Sequence, residues 1–420
     1  MIKRTTLAFV LLGLFWVARS DGQIVIPGTP AFCTSRPQDL YCLLPTLFDE
    51  ANPNPFAPIT SAFATQLTQL PLASPASGII YSYDSRSGIP HRVGQETYGP
   101  VLTERGDTIG RYKLFIASTY QRFTFSSLDG IGLHNIPVVF NVCAITGQCA
   151  PIGTTDRLSL TVNQVAIFGT FGITSRIDVS IAAPVNNISE SAGAVSCNPC
   201  NGPIDYSNPA NPIQYVFQSA SRSGSSTGIG DMVLRFKARV LSRKKYKLAL
   251  GGDFRAPTGD ALNFLGSGAP GVRPFAALSR GGRFSPHVNT AFQWNGNSIL
   301  GSNVAGTSGK LANDFFYSAG MDSALGHRVT VAVDYLGDYV NNQFRLSRIS
   351  TQIPATPTVP AFTVPDVSVV KGSFNTVKGS VGLKYNPVKN LLITGNVLFR
   401  FDHNGLRNNP VPLAGISFSF

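Results

Sequence analysis

The last eleven residues, Pro410-Val411-Pro412-Leu413-Ala414-Gly415-Ile416-Ser417-Phe418-Ser419-Phe420, decide the fold. Every second residue back from the end is apolar, and the alternate positions are mostly small or polar. A period of two is typical of a β-strand with one apolar and one polar face. An aromatic-terminated strand of this kind is typical of outer-membrane barrels, in which Ile416, Phe418 and Phe420 would be the assembly signal. A half-buried strand of a soluble sandwich is the alternative, so the preceding chain decides between them.

The N-terminus predicts export. Lys3 and Arg4 precede an apolar run from position 7 to position 17, and Ala18 and Ser20 are small residues suited to signal-peptidase cleavage. We therefore expect a signal peptide over residues 1–20. The run is shorter than the ~20 apolar residues of a membrane-spanning helix, and no other run approaches that length.

The six cysteines of an exported chain are expected to be oxidised. Their spacing suggests three local disulfides, although other connectivities remain open: Cys33 with Cys42, Cys143 with Cys149, and Cys197 with Cys200. The CxxC at Cys197 lacks the second CxxC or neighbouring histidine that a zinc site needs. We expect no metal and no cofactor.

The order of strands and loops predicts three regions: the signal peptide, a proline-rich extension or plug over residues 21–75, and a barrel over residues 76–420. Alternating strands in the third region are joined in turn by short links, such as 242–244, and long ones, such as 84–108 and 185–226. This rhythm is typical of short periplasmic turns and long external loops. The fold class is therefore an all-β, antiparallel up-and-down transmembrane barrel.

We expect about fourteen strands, with twelve as the fallback, because a bacterial barrel has an even number. The first strand is predicted at 78–84. The fourteenth depends on residues 133–142, where the alternation is poor and Pro137 interrupts it. The C-terminal strand is expected to pair with the first strand and with residues 391–401.

The polar phase of these strands is mainly basic. A base at mid-depth on the lipid face costs ~2–4 kcal/mol, so these side chains are expected to line the lumen. The basic candidates are Lys113, Arg176, Arg235, Lys237, Arg239, Lys247, Arg255, Arg328, Lys378, Lys384 and Arg400, and the acidic candidates are Asp178, Asp253 and Asp334. Such a lumen favours anions. Alternatively, the bases bond to neighbouring strands, to the N-terminal segment or to lipopolysaccharide phosphates.

Four passages resemble a known family. They are residues 171–179 (FGITSRIDV), 228–231 (GIGD), 254–260 (FRAPTGD) and 282–287 (GRFSPH). They resemble structural turns of outer-membrane proteins of the meta-pathway phenol-degradation family, which is similar in architecture to the long-chain fatty-acid transporter barrels. The resemblance implies a barrel that passively carries small molecules, with hydrophobic or aromatic compounds as its solutes.

Two other functions remain open: an anion-preferring diffusion pore with a basic lumen, and a non-transporting structural or adhesive barrel. An enzyme is not expected, because Ser285 and Asn289 lie on the same strand face as His287 at a spacing of ~6.5–7 Å, with no oxyanion donor in view. The expected partners are outer-membrane lipid, lipopolysaccharide, the barrel-assembly machinery and a small-molecule solute. The net charge of +12 could suit nucleic acid, but export argues against that partner.

Overall fold

The structure, a computed structural model, describes most of the chain from residue 97 onward and parts of the N-terminal region. The described residues are 31–36, 38–44, 56–67, 70, 81–83, 90–92, 97–143, 149–197, 201–205, 213–216, 221–304, 306–355, 360–388 and 390–420. The predicted signal peptide and Cys200 lie outside them.

Twelve antiparallel strands close into a barrel. In chain order they are β1 Leu114–Leu128, β2 Cys149–Gly172, β3 Ile177–Cys197, β4 Met232–Arg243, β5 Tyr246–Ala256, β6 Gly271–Arg280, β7 Phe284–Asn295, β8 Asn313–Ala324, β9 Val329–Ile353, β10 Phe362–Val388, β11 Leu391–Arg400 and β12 Val411–Ser419. Each strand pairs with its neighbour in sequence, and β12 pairs with β1 to close the ring. Closure satisfies the backbone groups that an open edge would leave unpaired in lipid.

The strand number is the smaller of the two expected. The stretch at 133–142 contributes Ile136–Cys143, which pairs along the long-loop part of β2 and stays outside the ring. The first strand predicted at 78–84 contributes Tyr81–Tyr83, which pairs with Pro90–Arg92. Three residues extend only ~10 Å and cannot cross a bilayer.

The prediction that the C-terminal strand pairs with residues 78–84 is therefore wrong. The chain pairs Leu413 through Ser419 with Gln121 through Phe115 of β1. On its other side β12 pairs with β11, as expected. At the very end, the Phe420 N–H donates to the Leu114 carbonyl at 2.8 Å, and the Leu114 N–H donates to the Phe420 carbonyl at 3.1 Å.

The outward face of the ring is an apolar belt. Large side chains such as Phe236, Leu250 and Val333 are about half exposed, at 49%, 48% and 50%. A contiguous exposed apolar surface of this extent is unfavourable in water and typical of a lipid-facing barrel wall. The protein is accordingly a β-barrel of the bacterial outer membrane.

The remaining elements are not strands of the ring. The helices are α1 Ala31–Thr34 and α2 Phe56–Leu67, with 3-10 turns at Leu40–Cys42 and Ile299–Gly301. The other short strands are Ile131–Gly132, Asn201–Asp205, Ile213–Val216, Ser221–Ile229, Asn297–Ser298, Gly309–Lys310 and Leu406–Asn408. Within the described residues, no helix combines the length and apolar character needed to cross a membrane.

Candidate functional site

Residues 97–109, here called the inner segment, lie inside the short-turn half of the barrel. Every residue of the segment is buried, although none of it is helix or strand. Irregular backbone is tolerated at membrane depth only where protein buries it or water lines it. The expectation that residues 84–108 form a long external loop is wrong for its described part, because loop length alone does not reveal whether a segment folds inward.

Side chains from eight consecutive ring strands, β3 to β10, hold the inner segment. In ring order the contacts come from Asp178, Arg235 and Lys237, Lys247, Ser279, His287 and Asn289, Asp322, Thr330 and Asp334, and Lys384. The inner segment is thus bound to eight of the twelve strands that form the wall of the lumen.

Glu104 is bonded to the wall through both its side chain and its backbone. Its carboxylate accepts from Arg235 and, at 3.1 Å, from the Lys237 ammonium. Its backbone is bound at two points by Asn289, whose Oδ1 accepts from the Glu104 N–H at 2.6 Å and whose Nδ2 donates to the Glu104 carbonyl at 2.9 Å. Arg235 also forms a bidentate pair with Asp253, at 2.6 and 2.8 Å. The Glu104 carboxylate therefore bonds to two buried bases of the ring, and one of them, Arg235, has Asp253 as a second partner.

A second cluster holds Thr103 and Arg105. Arg105 pairs with Asp322, which is fully buried. The Thr103 hydroxyl donates to Asp334 at 3.0 Å and contacts His287 Nε2 at 2.9 Å. His287 Nε2 also lies 2.7 Å from Asp334. The histidine singled out in the sequence thus anchors the inner segment.

Ser285, the serine beside His287 in the strand, bonds elsewhere. Its hydroxyl donates to the Arg280 carbonyl at 2.6 Å. The Ser285 hydroxyl is therefore committed to a turn and is not bonded to the histidine in this arrangement.

The two ends of the inner segment are fixed by Lys384 and Asp178, and a glycine lies against the wall between them. Lys384 donates to the carbonyls of Pro100, at 2.5 Å, and Tyr98, at 3.3 Å. The Ile109 N–H donates to Asp178 at 2.9 Å. Between them, a Cβ on Gly106 would lie 2.2 Å from the carbonyl oxygen of Lys247, so only glycine fits against β5. The inner segment is therefore held in close contact with the wall along its length.

Most predicted lumen bases face acids that the sequence reasoning missed. Seven of the eleven form ion pairs: Arg235 and Lys237 with Glu104, Arg239 and Lys247 with Asp107, Arg255 with Asp231, Lys378 with Asp338, and Arg400 with Asp402. Lys384 bonds to carbonyls, Lys113 is half-buried, and Arg176 and Arg328 are exposed at the short-turn end. Glu104 and Asp107 escaped notice because they lie in a stretch without alternation.

The three predicted acids are also inside the barrel. Asp178, Asp253 and Asp334 are 1%, 4% and 1% exposed. Asp253 binds Arg273 as well as Arg235, with the Arg273 Nη2 at 2.7 Å from its Oδ2. Arg273 follows the same inward alternation and was missed because Pro274 breaks the pattern beside it.

A second sector of the wall, formed by β11, β12, β1, β2 and β3, carries a run of inward apolar side chains beside polar ones such as Gln121 and Gln164, and is here called the apolar sector. Its inward side chains include Leu398, Leu413, Phe123, Phe168 and Ala182, all 5% exposed or less. Both faces of these strands are rich in apolar residues, so alternation alone could not assign the inward face. The lumen is therefore amphipathic, with most of its ion pairs on strands β4 to β10.

The described part of the N-terminal extension lies at the long-loop end. Phe63 of α2 packs against Phe264 with ring centroids 5.5 Å apart, and Gln66 accepts from the Leu406 N–H. Tyr41 donates its N–H to the Leu262 carbonyl at 2.8 Å. The predicted disulfide between Cys33 and Cys42 is present beside it.

The other two predicted disulfides stay predictions. Cys143 and Cys149 face each other in the register of their two strands. Cys197 ends β3, and its predicted partner Cys200 lies outside the described residues.

A cavity of about 180 Å³ remains between the inner segment and the N-terminal extension. Leu70, which follows α2, and Leu102 of the inner segment both line it. The rest of its wall mixes three kinds of side chain. Large apolar ones come from Phe168, Phe275, Phe316, Leu336 and Leu398, charged ones from Glu104, Arg235, Arg255, Arg273, Lys378, Asp253, Asp314 and Asp338, and neutral polar ones from Thr103, Ser180, Asn289, Thr290 and Gln293. This chamber is the candidate functional site.

Comparison with solved structures finds barrels of the outer membrane. An outer membrane channel from Pseudomonas putida F1 is 12% identical, with a TM-score of 0.48 over 76% of this chain and 99% of that one. A FadL homologue from Pseudomonas aeruginosa is 10% identical, with a TM-score of 0.31 over 82% and 94%. The closure of the ring rests on the chain's own strand registers, independently of these similarities.

Comparison of sequences gives a more specific result. No curated protein matches the chain. The family described as "Putative MetA-pathway of phenol degradation" matches residues 201–349, which include three of the four passages that carry the resemblance. The resemblance is confirmed: the chain is an outer-membrane β-barrel whose residues 201–349 match this family.

Proposed function

We propose that the barrel is a channel for passive uptake of small molecules and that its solutes are hydrophobic or aromatic compounds. The observation that carries the proposal is the chamber between Leu70 and Leu102, with its apolar side formed by Phe168 and Leu398. An engineered cavity of ~150 Å³ lined by apolar side chains binds benzene. A chamber of about 180 Å³ is therefore large enough for a molecule of one aromatic ring, which its apolar side can contact.

The pairing of charges lowers the support for an anion-preferring pore. Glu104, Asp107, Asp231 and Asp338 balance bases that sequence analysis left uncompensated. A neutralised wall focuses little field onto a passing ion. Its paired groups still offer hydrogen bonds to a polar substituent of an otherwise apolar solute.

A structural or adhesive barrel is the remaining candidate. It draws support from the inner segment and α2, which occupy the two ends of the lumen. Uptake then requires at least one of them to move. A transport function predicts such a movement, whereas a structural role does not.

The test compares initial uptake rates of labelled benzyl alcohol and benzoate in cells that contain or lack the barrel. Ala291 lines the chamber, so Ala291→Phe fills it, whereas Ala276→Phe places the same ring on the lipid face of the adjoining strand. We expect faster uptake of the alcohol, loss of that gain in A291F and retention in A276F. Faster uptake of benzoate alone would favour the anion pore, and no difference would favour the structural role.

A further inference from the structure

The short-turn end of the barrel carries a ring of exposed bases, here called the basic rim. Its members are Arg111, Arg176, Arg243, Lys244, Lys245, Arg280, Arg283 and Arg328. They lie at the start of β1 and in the β2–β3, β4–β5, β6–β7 and β8–β9 turns. These five places are distributed around the circumference.

The basic rim is not neutralised by the protein. The described residues of these turns include no Asp or Glu. The acids a few residues further in are buried and bonded inside the barrel: Asp178 to the inner segment, Asp322 to Arg105 and Asp107 to Lys247. Seven of the eight side chains bond to no described residue, whereas Arg111 lies over the ring of Tyr112 at 4.6 Å. The lumen bases, by contrast, are mostly paired. This end therefore presents a uniformly positive surface.

The position of the rim relative to the apolar belt indicates what it faces. Three bases immediately precede an exposed aromatic residue: Arg111 before Tyr112, Lys245 before Tyr246, and Arg283 before Phe284. Aromatic side chains of membrane proteins collect at the boundary between hydrocarbon and headgroups. Bases one residue further from the belt then lie at the level of the lipid phosphates.

We propose that the basic rim binds the headgroups of anionic phospholipids in the leaflet on the short-turn side. Clustered bases near an anionic surface each contribute on the order of 1 kcal/mol of attraction. Bases distributed around the barrel match the annulus of lipid that surrounds it. An acidic protein partner would instead bind a patch of bases clustered on one side of the barrel. Short turns are periplasmic in such barrels, so the lipid is that of the inner leaflet.

The test measures association of spin-labelled phosphatidylglycerol relative to phosphatidylcholine with the reconstituted full-length barrel. The variant R243Q/K244Q/K245Q removes three charges from one turn. The control K310Q/R348Q/K371Q removes three exposed charges from the long-loop side. Heat-modifiable migration on gels confirms that each variant is folded.

We expect the wild type to prefer phosphatidylglycerol and the rim variant to prefer it less, by about fivefold for each base that a bound headgroup loses. The control variant should retain it, and high salt should weaken it in the wild type because the rim is exposed. Equal association of both lipids with the wild type, or equal loss in both variants, would overturn the proposal.

Discussion

Replacing Glu104 by glutamine should release the inner segment from the wall. The substitution removes the carboxylate bound by Arg235 and Lys237, which are 8% and 1% exposed. Arg235 keeps its bidentate pair with Asp253. Lys237 has only Asp178, opposite it in the β3–β4 register, to compensate part of its charge.

The magnitude follows from leaving a buried base without its bonded partner. That loss costs ~3–5 kcal/mol, and the proximity of Asp178 places this case near the lower figure. About 3 kcal/mol corresponds to a roughly hundredfold rise in the ratio of displaced to docked segment. Since the docked segment occupies the lumen, opening should become more frequent by a similar factor.

The assay is single-channel recording in planar bilayers of the wild type, E104Q and a matched control, E190Q. Glu190 is equally buried, but neither carboxylate oxygen has a partner among the described residues, so its replacement breaks no ion pair. The double variant E104Q/K237Q removes both charges and should recover part of the closed state. An unchanged open probability in E104Q, or an equal rise in E190Q, would refute the reasoning.

Three further outcomes are expected. Gly106→Val should raise the open probability, because its side chain meets the Lys247 carbonyl, whereas Gly252→Ala, with open space at its Cβ, should not. Deleting Phe420 should lower the amount of folded barrel in the outer membrane, measured by heat-modifiable migration, because two backbone bonds that close the ring are lost. Cys33→Ser should make the N-terminal extension protease-sensitive, because a disulfide closing a short loop contributes ~2–3 kcal/mol.

The sequence by itself determined the barrel class and the orientation of most strands. The alternation ending at Phe420 and the repeated short and long links are local properties, and a lipid-facing wall imposes them residue by residue. Ile416, Phe418 and Phe420 face outward at 44%, 39% and 63% exposure, as that pattern requires. The disulfide between Cys33 and Cys42 likewise follows from a short separation.

Only the tertiary structure decided what the lumen contains. Glu104 meets Arg235 across 131 positions, and Arg105 meets Asp322 across 217. Their stretch has no alternation, and irregular backbone carries no periodic signal of where it folds. The apparent excess of lumen bases was reduced because compensating acids came from that stretch, from the strand-flanking Asp231 and Asp402, and from Asp338 within β9. Charge balance inside a barrel depends on which distant segments share the lumen, so it follows from the closed ring and not from any one strand.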